Sequence, residues 1–139
     1  MLIDGQDLNL WEKALKKKTK LVFFETPSNP CLEIIDIKKV SEMSHRSGAL
    51  VVVDNVFATP ILQKPIEMGA DVVMYSATKH IDGHGRVVGG AILSNNRFCD
   101  KYIQPFVRNT GPSLSPFNAW VLLKGCLLYT SPSPRDRSS

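Results

Sequence analysis

The stretch Ala49-Leu50-Val51-Val52-Val53-Asp54 decides the fold. Four apolar residues follow Ala49 without alternation, and the run ends in an acid. An unbroken apolar run this short predicts a strand covered on both faces, the habit of parallel sheets packed between helices.

Upstream, Gly48 stops a helix that Asp36 caps, with Ile37, Val40, Met43 and Ser44 on one face. Before it, Leu21-Val22-Phe23-Phe24 reads as a buried strand. Pro27 and Pro30 in Glu25-Thr26-Pro27-Ser28-Asn29-Pro30 forbid its continuation and make a loop. Asp7 caps a first helix whose Leu8, Trp11, Ala14 and Leu15 fall at i, i+3, i+6 and i+7. Downstream, a helix-like piece at 65–68 leads to a third strand, Asp71-Val72-Val73-Met74-Tyr75. Residues 76–86 have no periodicity and two glycines, which predicts a loop. A fourth strand is expected at 87–93, loosened by Gly89 and Gly90. Helices are expected near 97–107 and 116–124, the second with Ser115 as cap and Pro116 at its first position.

Strands alternating with helices predict an α/β fold with a mostly parallel sheet and flanking helices. Ligands of such sheets sit beyond the carboxyl ends of the strands, and right-handed crossovers bring those ends to one edge. Three strands end in polar loops. They gather Asn29, Asp54, Ser76, Thr78 and Lys79 into one crevice.

Composition narrows the class. With 139 residues, 43% apolar and 22% charged, the chain is of ordinary globular type and about one domain in size. No apolar run approaches the roughly 18 residues of a membrane span, and no secretory leader opens the chain, so no membrane partner and a cytoplasmic location are expected. The net charge of +4 comes with no basic stripe. Lys13, Lys16, Lys17, Lys18 and Lys20 cluster at a helix end, so no nucleic acid is expected. Cys31, Cys99 and Cys126 are widely spaced and read as reduced thiols.

A lysine just after a strand, flanked by hydroxyls and facing an aspartate at a neighbouring strand end, suggests pyridoxal phosphate. A lysine amine forms the Schiff base and shuttles the Cα proton. A carboxylate beside the pyridine nitrogen keeps that nitrogen protonated, and the charged ring becomes an electron sink. Hydroxyls and backbone N–H groups at a turn hold the phosphate.

The chain resembles the cystathionine γ-synthase-like family of Cys/Met-metabolism pyridoxal-phosphate enzymes. The resemblance lies in Glu25-Thr26-Pro27-Ser28-Asn29-Pro30, in Val53-Asp54-Asn55-Val56-Phe57-Ala58-Thr59-Pro60, and in Tyr75-Ser76-Ala77-Thr78-Lys79-His80 followed by Gly83-His84-Gly85-Arg86. It implies that residues 1–125 are part of the large cofactor-binding domain of a fold type I, aspartate-aminotransferase-like enzyme. By resemblance, Lys79 is the Schiff-base and catalytic lysine, and Asp54 is the partner of the pyridine nitrogen. Asn29 faces the ring's phenolic oxygen, and Ser76 and Thr78 hold the phosphate.

Within the family, Gly83-His84-Gly85-Arg86 and the stretch 111–120 look most like the O-succinylhomoserine sulfhydrylases, with His84 where Gln is usual. The implied reaction is γ-replacement on O-succinyl-L-homoserine by sulfide, in a homotetramer. The alternatives are cystathionine γ-synthase, O-acetylhomoserine sulfhydrylase or a methionine or cystathionine γ-lyase. The family's flanking N- and C-terminal regions have no counterpart here, so an inactive fragment is a further reading. The family continues Leu-Glu-Thr-Leu after Gly125, whereas this chain reads Cys126-Leu127-Leu128-Tyr129 and then turns to Ser, Pro and Arg. Residues 126–139 are therefore expected to be a disordered tail foreign to the enzyme.

Three other readings compete. Ser76-Ala77-Thr78-Lys79 matches the S-x-x-K of penicillin-recognising enzymes, but Ser-Asp-Asn and Lys-Thr-Gly are missing. His80 and His84 lack a third metal ligand and a helix to present them, so no metal is expected. A small basic binding domain is the non-enzyme alternative.

Overall fold

The computed structural model describes residues 1–130; residues 131–139, the greater part of the expected tail, lie outside the described residues. Four strands form one sheet in the order β1-β2-β3-β4, with β1 at Leu21–Glu25, β2 at Leu50–Asp54, β3 at Val72–Ser76 and β4 at Gly90–Ser94. β1 to β3 run parallel, in register from Leu21↔Leu50 to Glu25↔Asp54 and from Val52↔Val72 to Asp54↔Met74. β4 lies antiparallel on β3, from Val72↔Ser94 to Ser76↔Gly90. The sheet is thus mostly parallel, and β2 is buried on both faces through Val51, Val52 and Val53.

Helices α1 (Leu8–Leu15) and α2 (Ile37–Arg46) cover one face. Both begin at the expected caps. Asp7 Oδ1 accepts the Asn9 N–H at 2.8 Å, and Asp36 Oδ1 accepts the Lys39 N–H at 3.0 Å. The core they close holds Trp11, Val22, Phe24, Ile37, Val40, Val51, Val53 and Val73. Fully burying each such aliphatic side chain contributes about 1.5–3 kcal/mol. The Trp11 indole meets the Phe24 ring edge-on at 5.7 Å and donates to Gly5 O at 2.9 Å, so its one polar atom is satisfied.

The structure corrects the sequence reading at four places. β1 is not covered on both faces: Val22 and Phe24 point into the core, while Leu21 and Phe23 are 49% and 55% exposed. Residues 65–68 form consecutive turns, and the short helix lies earlier, as α3 (Thr59–Leu62). The expected loop at 76–86 opens with a π-helical turn, Ala77–Ile81, closed by Asp82 N–H donating to Ala77 O at 2.9 Å. β4 starts at Gly90 rather than 87, because the chain first returns through Gly89 to bond Ala77.

Beyond β4, α4 (Asn96–Phe98), a π-helical segment Cys99–Ile103 and α5 (Gln104–Thr110) follow one another to Gly111, whose φ of 79° ends the run in the left-handed region. The last helix, α6 (Pro116–Thr130), starts as expected, with Ser115 Oγ accepting the Asn118 N–H at 3.1 Å. It continues to Thr130, so residues 126–130, assigned to the tail by composition, are helical. α6 packs Val121 and Leu122 on Ala77 and Val87 in a second core beneath the turn after β3. Among the described residues no helix is long and apolar enough to cross a membrane.

Candidate functional site

The parallel order brings the exits of β1, β2 and β3 to one edge. Glu25 and Asp54 are register partners there, and Ser76 ends β3. After β1, the chain folds into a compact loop. Thr26 is fully buried and its Oγ1 accepts the Ile35 N–H at 2.9 Å; Ser28 and Glu33 bond each other, with Ser28 N–H on Glu33 O and Glu33 N–H on Ser28 Oγ, both at 3.0 Å. Asn29 sits at the exposed tip, its N–H donating to Glu25 Oε2 at 3.1 Å.

At the end of β2, Asp54 Oδ1 accepts the Val56 N–H at 3.0 Å. Its Oδ2 makes no hydrogen bond among the described residues. The next residue turns inward. Asn55 is fully buried, and its Nδ2 lies 2.9 Å from Tyr75 Oη, 2.9 Å from Gln63 O and 3.2 Å from Thr59 O. An amide has two hydrogens for these three acceptors, so one bond is shared. Gln63 Nε2 donates to Asn55 Oδ1 at 2.8 Å and to Thr26 O at 2.9 Å. One amide pair, Asn55 buried and Gln63 half-buried, therefore ties the exits of β1, β2 and β3 together.

After β3, Thr78 Oγ1 accepts the Gly89 N–H at 3.3 Å, which leaves its own O–H available to donate. Lys79 is exposed and its ammonium pairs with no group among the described residues; its backbone departs from the helical turn at φ −88°, ψ −107°. Asp82, three residues on, is fully buried against Arg86, with Nη2 at 2.6 Å and Nε at 3.0 Å from Oδ1. The Arg86 hydrogen bonds hold the Asp82 carboxyl below its ordinary pKa.

The five expected site residues thus share one sheet edge, without side-chain hydrogen bonds to one another among the described residues. The donor set fits pyridoxal phosphate: an amine for the aldehyde, an unengaged carboxylate oxygen for a protonated ring nitrogen, and hydroxyls on a turn for a phosphate. No cluster of three or more metal-ligating side chains occurs among the described residues. The sequence reading missed Asn55 with Gln63, and Asp82. Asn55 carried a signal, a polar amide directly after a fully apolar strand; Gln63 carried none, because only the fold brings it to Thr26.

A family model described as Cys/Met metabolism PLP-dependent enzyme matches residues 1–128. The chain is 58% identical over 125 residues to an O-succinylhomoserine sulfhydrylase of Mycobacterium tuberculosis, covering 90% of this chain and 31% of that protein. It is 53% identical to the O-succinylhomoserine sulfhydrylase of Pseudomonas aeruginosa, covering 86% of this chain and 29% of that protein. The chain therefore spans about a third of the length of the curated relatives it matches. A solved cystathionine gamma synthase from Xanthomonas oryzae pv. oryzae, in complex with aminoacrylate and cysteine, superposes with a TM-score of 0.87 at 41% identity, over 91% of this chain and 33% of that one.

Proposed function

Because the chain belongs to the Cys/Met-metabolism family of pyridoxal-phosphate-dependent enzymes, we propose that residues 1–125 contribute cofactor-binding residues to an enzyme that replaces the γ-succinyloxy group of O-succinyl-L-homoserine with sulfide, giving L-homocysteine. Bound pyridoxal phosphate supplies an electron sink for charge developing at Cα and Cβ of an amino acid. The chain's own residues do the rest. Lys79 would hold the cofactor, and its Nζ would take the Cα proton of the substrate and later return it. Asp54 Oδ2 would face the ring nitrogen and keep it protonated, since an adjacent anion favours the cationic form. The Ser76 and Thr78 hydroxyls would donate to the phosphate, and the Asn29 amide would face the phenolic oxygen.

The observation that carries this reading is the pairing of edges: Asp54 ends β2, and Lys79 follows the end of β3, its parallel neighbour. The choice of sulfide rests on Gly83-His84-Gly85-Arg86 and the stretch 111–120, and on kinship with two sulfhydrylases. The same electron sink serves cystathionine γ-synthases, O-acetylhomoserine sulfhydrylases and γ-lyases, so Lys79 and Asp54 do not select the nucleophile. Small amino-acid substrates, a homotetramer and a cytoplasmic location complete the proposal. A competition assay tests it in the holoenzyme, with O-succinylhomoserine, sulfide and cysteine together. Homocysteine should dominate. Predominant cystathionine would make the enzyme a γ-synthase, and 2-oxobutanoate released from methionine or cystathionine would make it a lyase.

A further inference from the structure

Resting on the reading of Lys79 as the cofactor-binding lysine, we propose that Asp82 and Arg86 are positioning residues that latch the turn presenting Lys79. The loop 77–89 is closed at two places. At its base, Ala77 N–H donates to Gly89 O at 2.9 Å, and Gly89 N–H donates to Thr78 Oγ1 at 3.3 Å. At its far end, the Asp82 carboxylate accepts the Arg86 backbone N–H on Oδ2 and the guanidinium on Oδ1.

Between the two latch residues lie Gly83 and Gly85, at φ 74° and 66°. Glycine adopts these left-handed conformations freely, so the segment has little stiffness of its own. The latch also sits on the last bonds of the Lys79 turn: Asp82 N–H donates to Ala77 O at 2.9 Å, and Gly83 N–H donates to Lys79 O at 2.7 Å. The second bond holds the Lys79 carbonyl, toward which the Asp82 N–H also points, at the residue where the backbone leaves helical geometry.

Asp82 is fully buried, whereas the Arg86 side chain is 43% exposed. A buried carboxylate without its partner is strongly unfavourable, so the pair forms as a unit or the turn opens. From α6, Gly125 packs against the Asp82 backbone and brings no charge. His84 faces the pair, its Nδ1 3.3 Å from Asp82 O, and Lys79 and His80 are the basic groups of the turn.

The test uses the holoenzyme and opposite charge changes. Asp82→Asn leaves the Arg86 cation unpaired beside the turn; Arg86→Gln leaves the carboxylate. A cation disfavours and an anion favours a proton on the Lys79 nitrogen. The pH midpoint of the cofactor's visible absorption should move by about one unit, down in Asp82→Asn and up in Arg86→Gln. The double variant should return toward the parent midpoint. Borohydride trapping of cofactor on Lys79 should slow about tenfold in either single variant. If Asp82→Asn does not fold, Arg86→Gln and its partial rescue by Arg86→Lys carry the test. Unmoved midpoints and unchanged trapping, with the label still on Lys79, would overturn the latch and leave the cofactor reading standing. Label on another lysine would overturn the cofactor reading and the latch with it.

Discussion

Gly125 in α6 lies so close to the backbone of Asp82 that a Cβ there would stand 2.7 Å from the Asp82 carbonyl carbon and 2.8 Å from its Cα. The contact is backbone on backbone, with no flexible side chain to swing aside. α6 thereby rests directly on the segment that follows Lys79.

We predict that Gly125→Ala destabilises the protein although it sits in a helix. Propensity alone would favour alanine by about 1 kcal/mol. The clash requires α6 or the turn to shift, which costs about 1–3 kcal/mol or more and exceeds that gain. Thermal unfolding of the two proteins decides the sign. A variant with an unchanged or higher Tm would show that the contact relaxes without cost.

Asn55→Ala should cost about 2–4 kcal/mol, because the fully buried Asn55 amide is the shared partner of four polar groups, one buried and three half-buried. Thr59 O, Gln63 O and Tyr75 Oη lose a donor, and Gln63 Nε2 loses an acceptor. Urea denaturation measures this, and a loss under about 1 kcal/mol would mean that the cluster repairs itself.

How much of this was legible in the sequence depends on the range of the signal. The apolar run of β2 and the caps Asp7, Asp36 and Ser115 are local signals, and each lies where its chemistry put it. Leu21-Val22-Phe23-Phe24 is equally apolar, yet only the neighbours of β1 decide that Leu21 and Phe23 stay exposed. Gly83 and Gly85 give residues 76–86 the composition of a loop, which hides the π-helical turn at Ala77–Ile81. At the site, the order of Asn29, Asp54, Ser76, Thr78 and Lys79 on strand ends was readable from crossover geometry. The Asn55–Gln63 pair and the Asp82–Arg86 pair were not. The first joins segments distant in sequence, and the second spans a glycine loop where i, i+4 spacing implies no contact.

Acid should weaken the protein through Asp82. Its native pKa lies below the ordinary 3.8, because Arg86 hydrogen bonds favour the carboxylate. The folded state therefore binds this proton less readily than the unfolded chain. The stabilisation is fully present above 3.8 and is lost as pH falls through the lowered native value. The stability gap between the parent and Asp82→Asn should accordingly shrink between about pH 5 and pH 2. A gap that is flat with pH would place the Asp82 contribution in packing rather than charge.

The sharpest test of the site separates the two oxygens of Asp54. Oδ1 accepts the Val56 N–H and shapes the turn after β2; Oδ2 makes no hydrogen bond among the described residues and is the oxygen proposed to face the ring nitrogen. Asp54→Asn can keep an acceptor for Val56 while removing the charge. It should retain the fold and bind the cofactor, yet lower kcat about a hundredfold or more, because a neutral ring is a poor electron sink. KM should change little, since the proposed role of Asp54 is toward the cofactor rather than the substrate. Asp54→Ala removes both functions and should lose cofactor affinity and stability in addition. Cofactor retention by dialysis, thermal unfolding and steady-state kinetics on the two variants give the three readouts. Near-parental kcat in Asp54→Asn would show that the charge at this position is not what drives the chemistry.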